Sequence, residues 1–299
     1  MERRLLGKTG LAVSVLGFGT AEIGFENAEQ ATVDRLVGIC ADAGVNFMDT
    51  AECYEDSEEK LGLAMSRRRQ DFLLFTKCGH AAGLEGVDWT PAVLTKGLER
   101  SLRRLRTEYV DLLQLHSCSA DILERTDVVQ ALVEARQSGK TRFIGYSGDS
   151  TDALAAITTG VFDTLQTSIN LADQEAITLT IPAARQRSMG ILAKRPLANA
   201  VWKHTQRPSN PYYQEYWDRL DRIGYPFLQA CSLTDSLTTA VRFTLSAPGV
   251  SAAIIGSKSE DRLQKNFTFV PPSRLPDDEF EYIRGLWEQR SLPSWAGQV

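Results

Sequence analysis

The chain has little of what marks a specialised class. It is 299 residues long, and acid exceeds base by only five charges. It has no basic face or stripe to serve as an electrostatic footprint for nucleic acid. No apolar run approaches the roughly 18 residues a membrane span needs. The basic residues near Met1 are not followed by an apolar stretch of signal-peptide length, so a cytoplasmic protein with no membrane partner is expected. The five cysteines, Cys40, Cys53, Cys78, Cys118 and Cys231, are dispersed and odd in number, with no CxxC spacing. A chain of this size does not need disulfides, and no framework is indicated. No metal is expected: structural sites show tight ligand pairs, and these thiols with His116 have no such spacing. His80 and His204 read as ordinary loop residues. No disordered linker and no repeat beyond a strand–helix unit divides the chain, so one domain over 1–299 is expected.

What is present is ordinary globular composition, 43% hydrophobic and 24% charged. The most informative stretch runs from Val45 to Gly62. An apolar run, Val45-Asn46-Phe47-Met48, stops at Asp49; a short polar loop carries Tyr54; Ser57 opens a helix whose apolar positions begin at Leu61 and Leu63. An acid at the end of a buried strand is costly unless paired.

The same pattern recurs along the chain. Arg3 to Val15 reads as a small hairpin turning at Gly7-Lys8-Thr9-Gly10. Strands are expected at 15–20, 71–77, 109–116, 142–147, 162–168, 190–194 and 251–255 as well as at Val45. Helices are expected over 28–43, from Ser57, from Thr90, and over 128–137, 153–157, 175–188, 236–246, from Glu260 and over 276–290. From Thr90, Leu94, Leu98, Leu102 and Leu105 form one buried stripe, and the cations around it make a solvated face. The stretch 196–226 reads as long, irregular and rich in aromatics. About eight alternations of strand and helix indicate parallel strands with crossover helices. A closed (β/α)₈ TIM barrel with an N-terminal β-hairpin and a C-terminal helix and tail is the expected α/β fold. An open doubly wound sheet fits less well: it would place GxGxxG after its first strand, and Gly17-Phe18-Gly19 has no third glycine at the required place.

In such a barrel chemistry sits at the carboxyl ends of the strands. Three successive strands end in Asp49, Lys77 and His116, and Tyr54 lies in the loop after the first. A phenol with a free pKa near ~10 is a poor acid at neutral pH. A cationic Lys77 beside it favours the phenolate, Asp49 keeps Lys77 charged and aimed, and His116 can donate a hydrogen bond to a substrate oxygen. No nucleophile–base pair of the serine or cysteine type is evident, so the difficult chemistry falls to a cofactor. A Schiff-base role for Lys77 is disfavoured because a paired ammonium is a poor nucleophile.

Together these residues resemble the aldo-keto reductases. The run from Asp49-Thr50-Ala51 through Tyr54 and Ser57-Glu58 to Leu61-Gly62 is similar to that family's DTAxxYGxSExxLG, and Lys77 and His116 match its lysine and histidine. The resemblance covers nearly the whole chain. It implies NAD(P)H-dependent reduction of an aldehyde or ketone, with Tyr54 the general acid, Lys77 and Asp49 its tuners and His116 orienting the carbonyl. It also implies cofactor contacts: Gly19 and Thr20 at the nicotinamide, with Asp49 nearby; Ser147 and Gln166 on the carboxamide; Gly256, Ser257, Lys258, Arg262 and Asn266 along the adenosine. Lys258 and Arg262 suit a 2′-phosphate, so NADPH (NADP⁺) is expected over NADH.

Three positions depart from the family pattern. Glu55 replaces the glycine after the tyrosine, Gly148 replaces the asparagine after Ser147, and Lys194 replaces the aromatic that stacks on the nicotinamide. Lys194 is therefore a candidate cofactor contact of another kind. The departures motivate an alternative, an NADPH-binding barrel with a regulatory role and little turnover. The substrate is a small-molecule carbonyl compound, for which Trp89 and the rings of Trp202, Tyr212, Tyr213, Tyr216 and Trp217 suggest apolar or aromatic character.

Overall fold

A computed structural model describes residues 1–269 and 274–298. Its strands are β1 (Arg3–Leu5), β2 (Ala12–Ser14), β3 (Leu16–Gly19), β4 (Phe47–Asp49), β5 (Leu73–Cys78), β6 (Val110–His116), β7 (Thr141–Ser147), β8 (Thr164–Ser168), β9 (Gly190–Lys194) and β10 (Val250–Gly256). Strands β1 and β2 pair as an antiparallel hairpin. The other eight close a parallel barrel in the order β10-β3-β4-β5-β6-β7-β8-β9. The helices between them are α1 (Ala21–Phe25), α2 (Gln30–Asp42), α3 (Ser57–Ala64), α4 (Pro91–Arg104), α5 (Ala120–Leu123), α6 (Thr126–Gln137), α7 (Ser150–Thr159), α8 (Glu175–Thr178) and α9 (Ile181–Gln186). They continue with α10 (Pro211–Ile223), α11 (Phe227–Ala230), α12 (Leu233–Ser246), α13 (Glu260–Thr268) and α14 (Asp277–Arg290).

The barrel is packed in two layers, as period-2 strands require. Outward residues such as Phe18, Met48, Leu74, Leu113, Leu115, Ile144, Tyr146, Ile191 and Ala253 meet the helices in one large apolar cluster. Inward residues Phe47, Phe75, Leu112, Leu192, Ala252 and Ile254 fill the lumen together with Leu6, Leu11 and Val13 of the hairpin. The hairpin therefore plugs the amino-terminal end of the barrel. Gly17 makes room for the Phe47 ring in the lumen: a Cβ there would lie 2.0 Å from it.

Two elements differ from the sequence reading. The stretch 196–226 is not irregular throughout. It contains the 13-residue helix α10, started by the Asn210 side chain accepting from the Tyr212 amide, with Pro211 in its first turn and Gly224 ending it at φ 62°. Tyr212 lies against the guanidinium of Arg195, one residue past β9. Tyr216 is buried, and Trp202, Tyr213 and Trp217 pack with α12, α14, Trp287 and Trp295 in a separate apolar cluster. The helix expected over 175–188 is two short pieces, with Pro182 opening the second, where a missing N–H costs nothing.

Candidate active site

Parity along the strands decides which side chains meet. In four strands the inward set is apolar in the lumen and turns polar at the carboxyl end. Phe47 is followed by Asp49, Phe75 by Lys77, Leu112 by Gln114 and His116, and Leu192 by Lys194. The expected residues thus converge at one rim because they occupy alternate positions on neighbouring strands.

Lys77 and Asp49 form the charged centre. Both are buried, and the Lys77 Nζ donates to Asp49 Oδ1 at 2.5 Å and to the Thr50 carbonyl at 2.9 Å. The other carboxylate oxygen, Oδ2, accepts from Gln166 Nε2 at 2.8 Å and from Gln114 Nε2 at 3.2 Å. Burial alone would lower the Lys77 pKa. Asp49, then Tyr54, more than offset this, and the ammonium stays above the ordinary lysine value. Sequence reasoning missed Gln114. The available signal was its position two residues before His116, on the same parity.

Tyr54 lies beside this pair, with the Lys77 Nζ 5.1 Å from its ring centre and the His116 ring centre 6.0 Å away. Its loop is tied down by Ser57, whose Oγ donates to the Thr20 carbonyl at 2.9 Å and lies 3.2 Å from Thr50 Oγ1. Gly24 of α1 presses on the loop from above: a Cβ there would lie 2.0 Å from the Tyr54 carbonyl oxygen. The tuning differs from expectation. Burial raises the Tyr54 pKa, and the opposing pull of Lys77 does not outweigh it. His116 is held well below the usual imidazole range by burial, then by Lys77, so it is neutral and keeps one N–H to donate.

Two further side chains reach this rim. Cys53 Sγ lies 3.6 Å from His116 Nδ1, and the His80 ring centre is 5.3 Å from that of His116. His80 lies in the loop after β5, as expected, and that loop reaches the rim. Its Nδ1 lies 3.0 Å from Asp88 Oδ2, and its amide donates to Glu52 Oε1 at 2.9 Å. The Trp89 indole N–H donates to the His116 carbonyl at 2.8 Å. Burial, then Glu52, pushes the Cys53 thiol up to about 11, so it is no free thiolate nucleophile.

The model of the aldo/keto reductase family matches residues 15–288. The chain belongs to that family. It is 28% identical over 286 residues to L-galactose dehydrogenase of Arabidopsis thaliana, covering 90% of this chain and 88% of the relative. It is also 28% identical over 305 residues to a probable voltage-gated potassium channel subunit beta of the same plant, covering 90% and 91%. Among solved structures it resembles the aldo-keto reductase AKR11C1 from Bacillus halodurans in its holo form, with a TM-score of 0.80, 26% identity and 96% of each chain covered. As a member of this family the protein is an NAD(P)H-dependent oxidoreductase.

Two strand ends of this aldo-keto reductase meet at glycines beside the four residues. Gly19 and Gly256 pair across β3 and β10, and a Cβ at Gly256 would lie 2.9 Å from the Gly19 carbonyl oxygen. Glycine is needed on both strands because the junction is too tight for a side chain: a Cβ at Gly19 would lie 2.8 Å from Ile254 Cγ2. Thr20 is buried beneath it and holds the Asp49 carbonyl through its amide at 2.9 Å. The Ser147 hydroxyl donates to Gln166 Oε1 at 3.1 Å. Ser257 Oγ accepts from the Ser259 amide at 3.0 Å, and Ser259 in turn caps α13, on which Arg262 is exposed and Asn266 half-buried.

Each departure from the family pattern has a local cause or consequence. Glu55 adopts φ 49°, the left-handed region a glycine enters freely. At Gly148 a Cβ would lie 2.6 Å from the buried Tyr146 hydroxyl, so the Tyr146 side chain blocks any larger residue there. The Lys194 ammonium pairs with Asp149 Oδ2 at 2.8 Å, while Asp149 Oδ1 accepts from Thr167 Oγ1 and the Ser168 amide. The carboxyl-terminal tail packs here too, Ser168 Oγ donating to the Gln298 carbonyl at 3.2 Å. Lys258 is paired with Glu26 at 2.8 Å.

Proposed function

We propose that this reductase converts an aldehyde or ketone to an alcohol, with NADPH preferred over NADH and Tyr54 as general acid. The observation that supports it most is the buried Asp49–Lys77 pair set against Tyr54 and His116 at one rim. NADPH, when bound, supplies the hydride. The neutral His116 donates a hydrogen bond to the carbonyl oxygen and fixes its direction. Tyr54, a phenol protonated at neutral pH whose pKa burial raises further, passes its proton to that oxygen as negative charge develops there. Lys77 then faces a phenolate that its charge stabilises, and Asp49, held by Gln114 and Gln166, keeps the ammonium in place. Asp49 does not exchange a proton itself.

Gly19, Thr20, Ser147, Gln166 and Lys194 would hold the nicotinamide half of the cofactor. Gly256, Ser257, Lys258, Arg262 and Asn266 would hold the adenosine half. The two cations support the 2′-phosphate reading, and a capped helix start supports anion binding at Gly256–Ser259. The whole chain acts as one domain, since hairpin, barrel and tail share packing. A cytoplasmic location fits five cysteines that are all free.

Phe25, its ring centre 5.4 Å from that of Tyr54, and Trp89 support an apolar or aromatic carbonyl substrate. The relative named L-galactose dehydrogenase supports a sugar instead. A second reading, cofactor sensing with little turnover, is supported by the Lys194 and Gly148 departures and by the relative named as a channel subunit. Steady-state assays with each cofactor against aldehydes, ketones, quinones and hexoses separate them. Turnover at roughly 1–10³ s⁻¹ with any compound is expected, and none with all of them would leave the sensing role.

A further inference from the structure

The geometry points to a cation site that the carbonyl chemistry does not need, formed by Cys53, His80 and His116 and suited to a borderline-soft divalent metal such as zinc. One ligand atom from each of the three lies within 4.8 Å of the others. The Cys53 Sγ to His116 Nδ1 separation of 3.6 Å is informative. A tetrahedral zinc with Zn–S about 2.3 Å and Zn–N about 2.05 Å separates its sulfur and nitrogen by about 3.6 Å. That pair therefore already stands at the span a shared ion demands. The His80 nitrogen has to close by an ångström or so, within reach of a side chain on a loop.

The surroundings fit a ligand set more than a chance meeting. Asp88 holds one nitrogen of His80 and leaves the ring a second, the carboxylate–imidazole arrangement that metal-bound histidines usually carry. Glu52, buried beside Cys53, anchors the His80 amide, so the loops after β4 and β5 are fastened to each other at this point. One thiolate and two imidazoles suit zinc or cobalt and do not suit magnesium or calcium, which want oxygen. Three protein ligands also leave a fourth position open, as sites that exchange a ligand do. On binding, the metal replaces the thiol proton, which leaves to solvent, and no electron moves. Because the ion takes His116 at Nδ1, the proton stays on Nε2 but the ring is tied to Cys53 and His80, so the imidazole is no longer free to turn its N–H to the carbonyl oxygen. Zinc would then be a reversible inhibitor, a consequence that rests on the role proposed above for His116.

The test uses the full-length protein, stripped with chelator and titrated with Co²⁺ alone. The site predicts a saturable thiolate-to-cobalt charge-transfer band at one ion per chain, with the d–d bands of a tetrahedral ion, displaced by Zn²⁺. Cys53→Ser removes the charge-transfer band. His80→Asn, which spares the thiol, weakens binding by at least roughly tenfold, and Asp88→Asn by about 10–100-fold. Absence of a saturable band, or a band that survives Cys53→Ser and is indifferent to His80→Asn, overturns the site. A cobalt band that responds to these substitutions, with turnover insensitive to Zn²⁺, keeps the site and overturns the part assigned to His116 instead.

Discussion

The rim of the barrel has two halves that are built differently. On the side of β4, β5 and β6, a buried ion pair is held by three further hydrogen-bond partners, the Thr50 carbonyl, Gln114 and, from β8, Gln166. On the side of β7, β9 and β10, the cations are partly exposed and two of them already have an acidic partner on the chain: Lys194 with Asp149 and Lys258 with Glu26. Of the three departures from the family motif, Glu55 falls in the first half and Gly148 and Lys194 in the second. A buried charge that loses a partner costs several kcal/mol, while an exposed pair is worth little. If the proposed roles hold, the proton-handling side is the one where losing a partner costs most, and the cofactor side the one where it costs least.

Substitutions sharpen that contrast. Lys77→Met leaves Asp49 buried without its cation and is expected to cost about 3–5 kcal/mol of stability by denaturant unfolding. Adding Asp49→Asn to it restores part of the loss. The sign with pH follows from the direction of the shift. Lys77 titrates above its unfolded value when folded, so the pair's contribution is intact below about pH 10 and is lost as pH rises through the folded value. Gly148→Asn meets the buried Tyr146 ring and is expected to cost about 1–3 kcal/mol, without restoring the family's amide contact. A stable variant with tighter cofactor binding would show that Tyr146 moves aside.

The cofactor half responds more weakly. Glu26→Gln frees Lys258 and is expected to tighten NADPH by at most about fivefold in a fluorescence titration, leaving NADH unchanged. Equal tightening of both would remove Lys258 from the 2′-phosphate reading. The smallest effect is a titration. In the free protein, the alkaline absorbance difference between wild type and Tyr54→Phe has its midpoint above about 10, because burial outweighs Lys77. A midpoint below that value would mean that the cation wins.

The eight strands were legible because each is an apolar run ended by a polar residue or glycine. Asp49, Lys77 and His116 were legible because strand ends are where a barrel does its chemistry. Helix α10 was not, although Asn210-Pro211 and Gly224 are ordinary start and stop signals; the aromatics around them drew the reading toward a loop. The meeting of Cys53 with His80 and His116 was not legible either. It depends on how two loops fold back across a rim, and the three residues are 27 and 36 positions apart along the chain. The partners of Lys194 and Lys258 were hidden for the same reason. A charge on the sequence does not show which opposite charge the fold will bring to it.

The account stands or falls on a single hydroxyl group. Tyr54→Phe removes the proton and keeps the ring, so turnover with the best carbonyl substrate is expected to fall by roughly 10²–10⁴-fold while the dissociation constant for NADPH stays unchanged. Turnover retained at the wild-type level, with the same cofactor affinity, would contradict it.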